Sequence, residues 1–189
     1  DFYSYQTRWA GGIKGYKTQT STNIVKEDTP LNQVALDFIN YDLWLGYAFP
    51  LKSSNDLFKN RQRLVFSARY KNYRFLEGPF ITRRYHYQFH DNQMFLGKLS
   101  LSRENYYKSA LIYGYGRTED IPIGDLVEYT FGWEMDEFFR RFYSGINFSH
   151  GRFIDQLGYF SLNFGAGGFL YNHDMEQGVI RFQTNYISK

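Results

Sequence analysis

Four histidines, a serine beside one of them and several grouped charges are the side chains of this chain that could do chemistry. Ser149-His150 lies near Asp155, the residue types of a nucleophile, a base and an orienting acid. Successive residues of a strand point to opposite faces, so Ser149 and His150 could pair only across a bulge, and a hydrolytic pair is not expected. His86 and His90 are two alternations apart on one strand face, too far to share a metal without a bend and a third ligand, so exposed polar roles are expected for both. The absence of cysteine excludes disulfides and thiolate metal sites. Gly165-Ala166-Gly167-Gly168 has the composition of a phosphate-binding loop, but no strand-to-helix transition follows it. No catalytic, cofactor-binding or metal-ligating residue is assigned on these grounds.

The remaining chemistry is electrostatic. Arg117, Glu119 and Asp120 stand beside Pro122 and Gly124, a composition that predicts a sharp turn with charges bridging across the loop. Arg69 and Lys71, together with Arg63, Arg83-Arg84 and Arg140-Arg141, are expected to face acids such as Glu128 and Glu134 across a lumen. Arg140 and Arg141 could instead hold lipid phosphate at an interface. The lumen or loop candidates are therefore Arg69, Lys71, Arg117, Glu119, Asp120, Glu128 and Glu134. The net charge of +3, from 22 basic and 19 acidic residues spread along the chain, indicates no nucleic-acid footprint.

The elements that must position these residues announce themselves by a period of two. Tyr41, Leu43, Leu45, Tyr47 and Phe49 alternate with Asp42, Trp44, Gly46 and Ala48. Val127, Tyr129, Phe131 and Trp133 alternate with Glu128, Thr130 and Gly132, and Phe160, Leu162 and Phe164 with Ser161, Asn163 and Gly165. Such alternation is a strand signature. Strands are expected near 3–20, 34–50, 61–75, 83–90, 93–103, 107–116, 126–135, 140–150, 157–170 and 178–188, about ten in all. Glu104-Asn105, Asp136-Glu137 and Asn172-His173-Asp174 read as tight hairpin connections, and Ser21–Gln33, Lys52–Asn60 and Arg117–Asp125 as longer loops.

Two architectures carry this pattern: a soluble β-protein with its apolar faces inward, and a membrane barrel with its apolar faces outward. The Ser, Asn, Gly and charged residues of the alternate face favour a wet lumen. Most segments exceed the roughly 9 to 11 residues that a tilted strand needs to cross a bilayer. Aromatics make up 21% of the 189 residues, and Tyr3, Tyr5, Trp9, Tyr47, Phe49, Tyr106, Tyr107, Phe138, Phe139 and Tyr171 would suit interfacial girdles. No apolar run is long enough for a transmembrane helix, and zero cysteines are compatible with an oxidising envelope, a trait many cytosolic proteins share. One domain, 1–189, is expected: an all-β, antiparallel, up-and-down transmembrane β-barrel, or a large fragment of one. The C-terminal Ile187-Ser188-Lys189 lacks the terminal aromatic usual in such barrels, so the strand repeat is expected to continue beyond it.

The run Leu101–Gly124, Leu-Ser-Arg-Glu-Asn-Tyr-Tyr-Lys-Ser-Ala-Leu-Ile-Tyr-Gly-Tyr-Gly-Arg-Thr-Glu-Asp-Ile-Pro-Ile-Gly, resembles a segment of large outer-membrane β-barrel proteins akin to the surface-antigen and two-partner-secretion superfamily. That resemblance implies a barrel in the outer membrane of a Gram-negative bacterium that folds or exports other proteins. The expected function is a non-catalytic pore, translocation or assembly component, in contact with membrane lipid and with a translocated polypeptide or envelope partner. The alternatives are an outer-membrane lipid-modifying enzyme and a soluble ligand-binding β-barrel.

Overall fold

A computed structural model describes residues 2–3, 8–24, 32–51, 61–83, 85–110, 118–154 and 156–188. The short β1 (Phe2–Tyr3) precedes eight long strands: β2 (Trp9–Ile24), β3 (Asn32–Pro50), β4 (Arg61–Glu77), β5 (Asn92–Ala110), β6 (Thr118–Asp136), β7 (Arg140–Ile154), β8 (Gly158–Tyr171) and β9 (Asp174–Ser188). All form one antiparallel sheet in sequence order. The up-and-down order is the expected one. Closure is not: among the described residues, β9 and most of β2 each leave one edge without a strand partner.

Register aligns the alternating residues into rows. On one face, Ile13, Leu43, Tyr70, Phe95, Trp133, Phe142 and Leu170 oppose one another across seven strands. Below lie a row through Leu45, Ala68, Gly97 and Phe131 and a row from Trp9 through Tyr47, Phe66, Leu99, Tyr129 and Ile146 to Ile180. A fourth runs Phe49, Leu64, Leu101, Val127, Phe148, Phe164 and Phe182. Polar rows bound this band, with Asn72, Gln93 and Arg140 on one side and Gln62, Arg103, Asp125 and His150 on the other. The band also slants. On β3 it reaches one row higher, to Tyr41; on β8 and β9 it continues lower, to Leu162, Phe160 and Tyr186.

Burial is inverted relative to a soluble protein. Among the described residues the one buried large apolar side chain is Leu36, whereas Asn40, His90, Ser100, Glu134 and Arg141 are all buried. Apolar residues of the band stand in the open, Leu45 at 48%, Trp133 at 56% and Ile180 at 78% exposure. A water-soluble sheet hides such a face in a core.

Several connections differ from expectation. Residues 83–90 are not a strand; they belong to a connection, 78–91, with a Thr82–Tyr85 bridge and a 3-10 turn at Tyr87–Phe89. The expected strands 93–103 and 107–116 are not separated, because β5 runs unbroken through Glu104-Asn105 to Ala110. Asn105 pairs Ile123, and Lys108 pairs Asp120, so Glu119 and Asp120 lie in β6 rather than in a loop. Polar residues there mark the end of the apolar band, not of the hydrogen-bond ladder. Arg117 lies outside the described residues, as does the loop expected over 52–60. The Asn172-His173 turn is as expected, both residues having positive φ (49° and 72°), which matches the twist of a two-residue hairpin.

Candidate lumen-face site

The alternate face gathers the polar chemistry, in two networks and a crossing segment. At the end where β6 meets β7, Glu134 and Arg141 are direct cross-strand partners, both nearly buried. The Arg141 Nε donates to Glu134 Oε2 at 2.8 Å, its Nη2 donates to the same oxygen, and its Nη1 donates to Glu176 Oε2 at 3.2 Å. Asn92 Nδ2 donates to the other Glu134 oxygen at 2.6 Å. The guanidinium also lies over the rings of Phe169 and Phe139, at 4.4 and 5.2 Å from their centroids. An ion pair this dry is sustained because its remaining polar atoms are also bonded.

In the middle of the face, Glu128 accepts from Lys98 Nζ at 2.8 Å, Ser100 Oγ at 3.1 Å and Asn147 Nδ2 at 3.3 Å. Arg69 grips Asp42 with two parallel hydrogen bonds, Nε to Oδ1 at 2.8 Å and Nη2 to Oδ2. Lys71 has its Nζ over the Tyr73 ring, 4.7 Å from the centroid. A concavity of about 690 Å³ opens here, lined among others by Arg63, Ser67, Lys98, Ser100, Ser102 and Glu128. Glycines make its floor thin beyond: Tyr143 lays its hydroxyl over Gly145 and Gly167, within 2.7 and 2.9 Å of where their Cβ atoms would be.

The 78–91 connection crosses the same face at the Glu134 end. His90 is buried at 2% exposure. Its Nδ1 lies 3.0 and 3.1 Å from the two Asp136 oxygens and its Nε2 lies 3.1 Å from the Thr82 carbonyl. Both ring nitrogens thus face groups that can only accept. The backbone N–H of Phe75 donates to Asp91 Oδ1 at 2.6 Å, and Arg83 Nη2 donates to the Tyr171 hydroxyl at 2.9 Å, joining the connection to β4 and to β8. The result is a strap over one mouth of the polar face.

Of the expected site residues, Glu134 does meet a basic partner named from the sequence, Arg141. Arg69 and Lys71 face neither Glu128 nor Glu134; the register sets Asp42 diagonal to Arg69 and Lys98 diagonal to Glu128. Alternation places Asp42 and Lys98 on this face, but only the register chooses the pairs. The side chains of Glu119 and Asp120, like Arg117, lie outside what the structure describes. His90 is not exposed, and it does not share a strand face with His86, because the segment that carries both is not a strand. Phe138, Phe139 and Tyr171, expected in a girdle, belong to the strap cluster, with Phe138 4.8 Å from His90 and Tyr171 6.3 Å from Phe139 between ring centroids. Arg141 is likewise turned onto the polar face, where its guanidinium pairs with Glu134 and Glu176 instead of a lipid phosphate. Ser149 and His150 point to opposite faces, and the partner of His150 is Asp125, at 2.6 Å. Compared with known families, curated proteins and solved structures, the chain gives no match.

Proposed function

We propose that this chain is the wall of an outer-membrane β-barrel that serves as a pore, translocation or assembly component without covalent catalysis. Its apolar rows meet lipid, and its polar face lines a hydrated lumen spanned at one mouth by the 78–91 strap. The inversion of burial carries this reading: among the described residues the buried side chains are polar apart from Leu36, with His90, Ser100, Glu134 and Arg141 ion-paired or hydrogen-bonded, while large apolar side chains of the band such as Leu45, Phe66 and Trp133 are exposed. The strand lengths, 14 to 19 residues for the eight long strands, agree with it. The resemblance of Leu101–Gly124 to outer-membrane proteins that handle polypeptides supports a polypeptide as the transported or assembled cargo.

The three tryptophans test the reading. Trp9 and Trp133 lie on the apolar face and Trp44 on the polar one. Refolded into vesicles with brominated acyl chains, a variant retaining only Trp133 is expected to be quenched strongly, and one retaining only Trp44 weakly. Equal quenching of the two, or quenching of Trp133 by aqueous iodide in place of the brominated lipid, would refute the membrane orientation and favour a soluble β-barrel.

A further inference from the structure

On the apolar face, the row immediately beyond Leu101, Val127 and Phe148 carries Arg103, Asp125 and His150 on three adjacent strands. Arg152 follows two residues after His150 on the same face and is exposed. Asp125 Oδ1 lies 2.6 Å from His150 Nδ1, which fixes the ring and leaves Nε2 without a partner among the described residues. Arg152 also has no partner among them. This arrangement contains an imidazole held by an acid and two guanidinium groups, yet no nucleophile. Ser149 is across the sheet. On the opposite border of the band, the row Asn72, Gln93, Met135 and Arg140 carries one cation, Arg140.

We infer that Arg103, His150 and Arg152 form a binding site for the phosphate of a membrane lipid, with the acyl chains lying along Val127, Phe148 and Phe164. Guanidinium groups grip phosphate oxygens through paired N–H donors, and a protonated His150 adds a third direction from Nε2. Asp125 acts as the positioning residue: it holds the imidazole without reaching the ligand itself. The adjoining apolar row, one strand repeat or roughly 7 Å away, separates a lipid from a free anion, because it offers the ligand somewhere to put its chains. The inference rests on the membrane orientation proposed above, so its test must read the two separately.

The full chain, refolded into phosphatidylcholine vesicles containing a fraction of phosphatidic acid, permits both readings. Spin-labelled lipids report preference for the anionic headgroup, and brominated phosphatidylcholine quenching, read in a parent that retains only Trp133, reports insertion. Arg152→Gln and His150→Gln are each expected to lower the preference about five-fold, the change equivalent to roughly 1 kcal/mol per interfacial charge, with Trp133 quenching unaltered. Arg152→Lys, which keeps the charge, is expected to retain most of the preference. Excess inorganic phosphate, compared with chloride at equal ionic strength, should displace little lipid. Unchanged preference in both glutamine variants, with Trp133 still quenched, overturns the site and leaves the orientation standing. Equal loss in Arg152→Lys and Arg152→Gln, or displacement by inorganic phosphate, overturns the lipid assignment. Absence of quenching in the parent that retains only Trp133 overturns the site and the orientation together.

Discussion

Glu134 and Arg141 show how a polar interior is held at the level of single atoms. Removing one partner strands the other in a site less than a tenth exposed, so Glu134→Ala is expected to cost about 3 to 5 kcal/mol in denaturant unfolding from micelles. The double change Glu134→Leu with Arg141→Met should recover much of that loss, because the charge it leaves unpaired, on Glu176, is 42% exposed and hydrated. His90 makes a second residue-scale case. His90→Ala removes the bonds to Asp136 and the Thr82 carbonyl, and the expected outcome is faster proteolytic cleavage within 78–91 than in the unsubstituted chain. The types of these residues were legible in the sequence, and Glu134 and Arg141 could be named from it. The pairing of Glu128 with Lys98 was not legible, because diagonal neighbours depend on a register that no local pattern states. His90 was hidden by its segment: Tyr85, Tyr87 and Phe89 mimic a strand alternation, while the chain there folds back as a strap.

The β5–β6 pair is the longest ladder of the sheet, and its close approach depends on one glycine. A Cβ at Gly132 would sit 1.9 Å from the Phe95 carbonyl oxygen, a backbone atom that can move only if the strands part. At Gly97 the obstacle is the Phe131 ring, at 2.9 Å, which can rotate. Gly97→Ala is therefore expected to cost about 1 to 3 kcal/mol, and Gly132→Ala clearly more, as read from the folded fraction after refolding in micelles. Both glycines lie within regular alternation, so the sequence marked the strands well and said nothing of which glycine was indispensable. Element ends are the least legible feature of the sequence. Glu104-Asn105 carries turn chemistry, yet it lies where the sheet leaves the apolar band, and there polar residues on both faces are compatible with an unbroken strand.

At the scale of the molecule, alternation revealed that the two faces differ, and burial revealed which one is covered. A charge placed on either face should report the difference. Leu99→Arg, within the apolar band, is expected to destabilise the protein in vesicles by about 2 to 4 kcal/mol, and Asn163→Arg, on the polar face, by much less. Equal effects in a vesicle folding titration would count against the proposed orientation. What the sequence could not supply was the relation between neighbouring strands, and the slant of the apolar band is such a relation. Going from β3 to β9, the band slides along the strands toward Tyr186 while the hydrogen bonds stay square to them. In a cylinder this slide is the stagger, and stagger with strand number determines radius. In the proposed barrel, a partner for the β9 edge left open among the described residues is expected to join offset in the same sense; a strand added level with β9 would carry its greasy residues out of the plane of the proposed membrane.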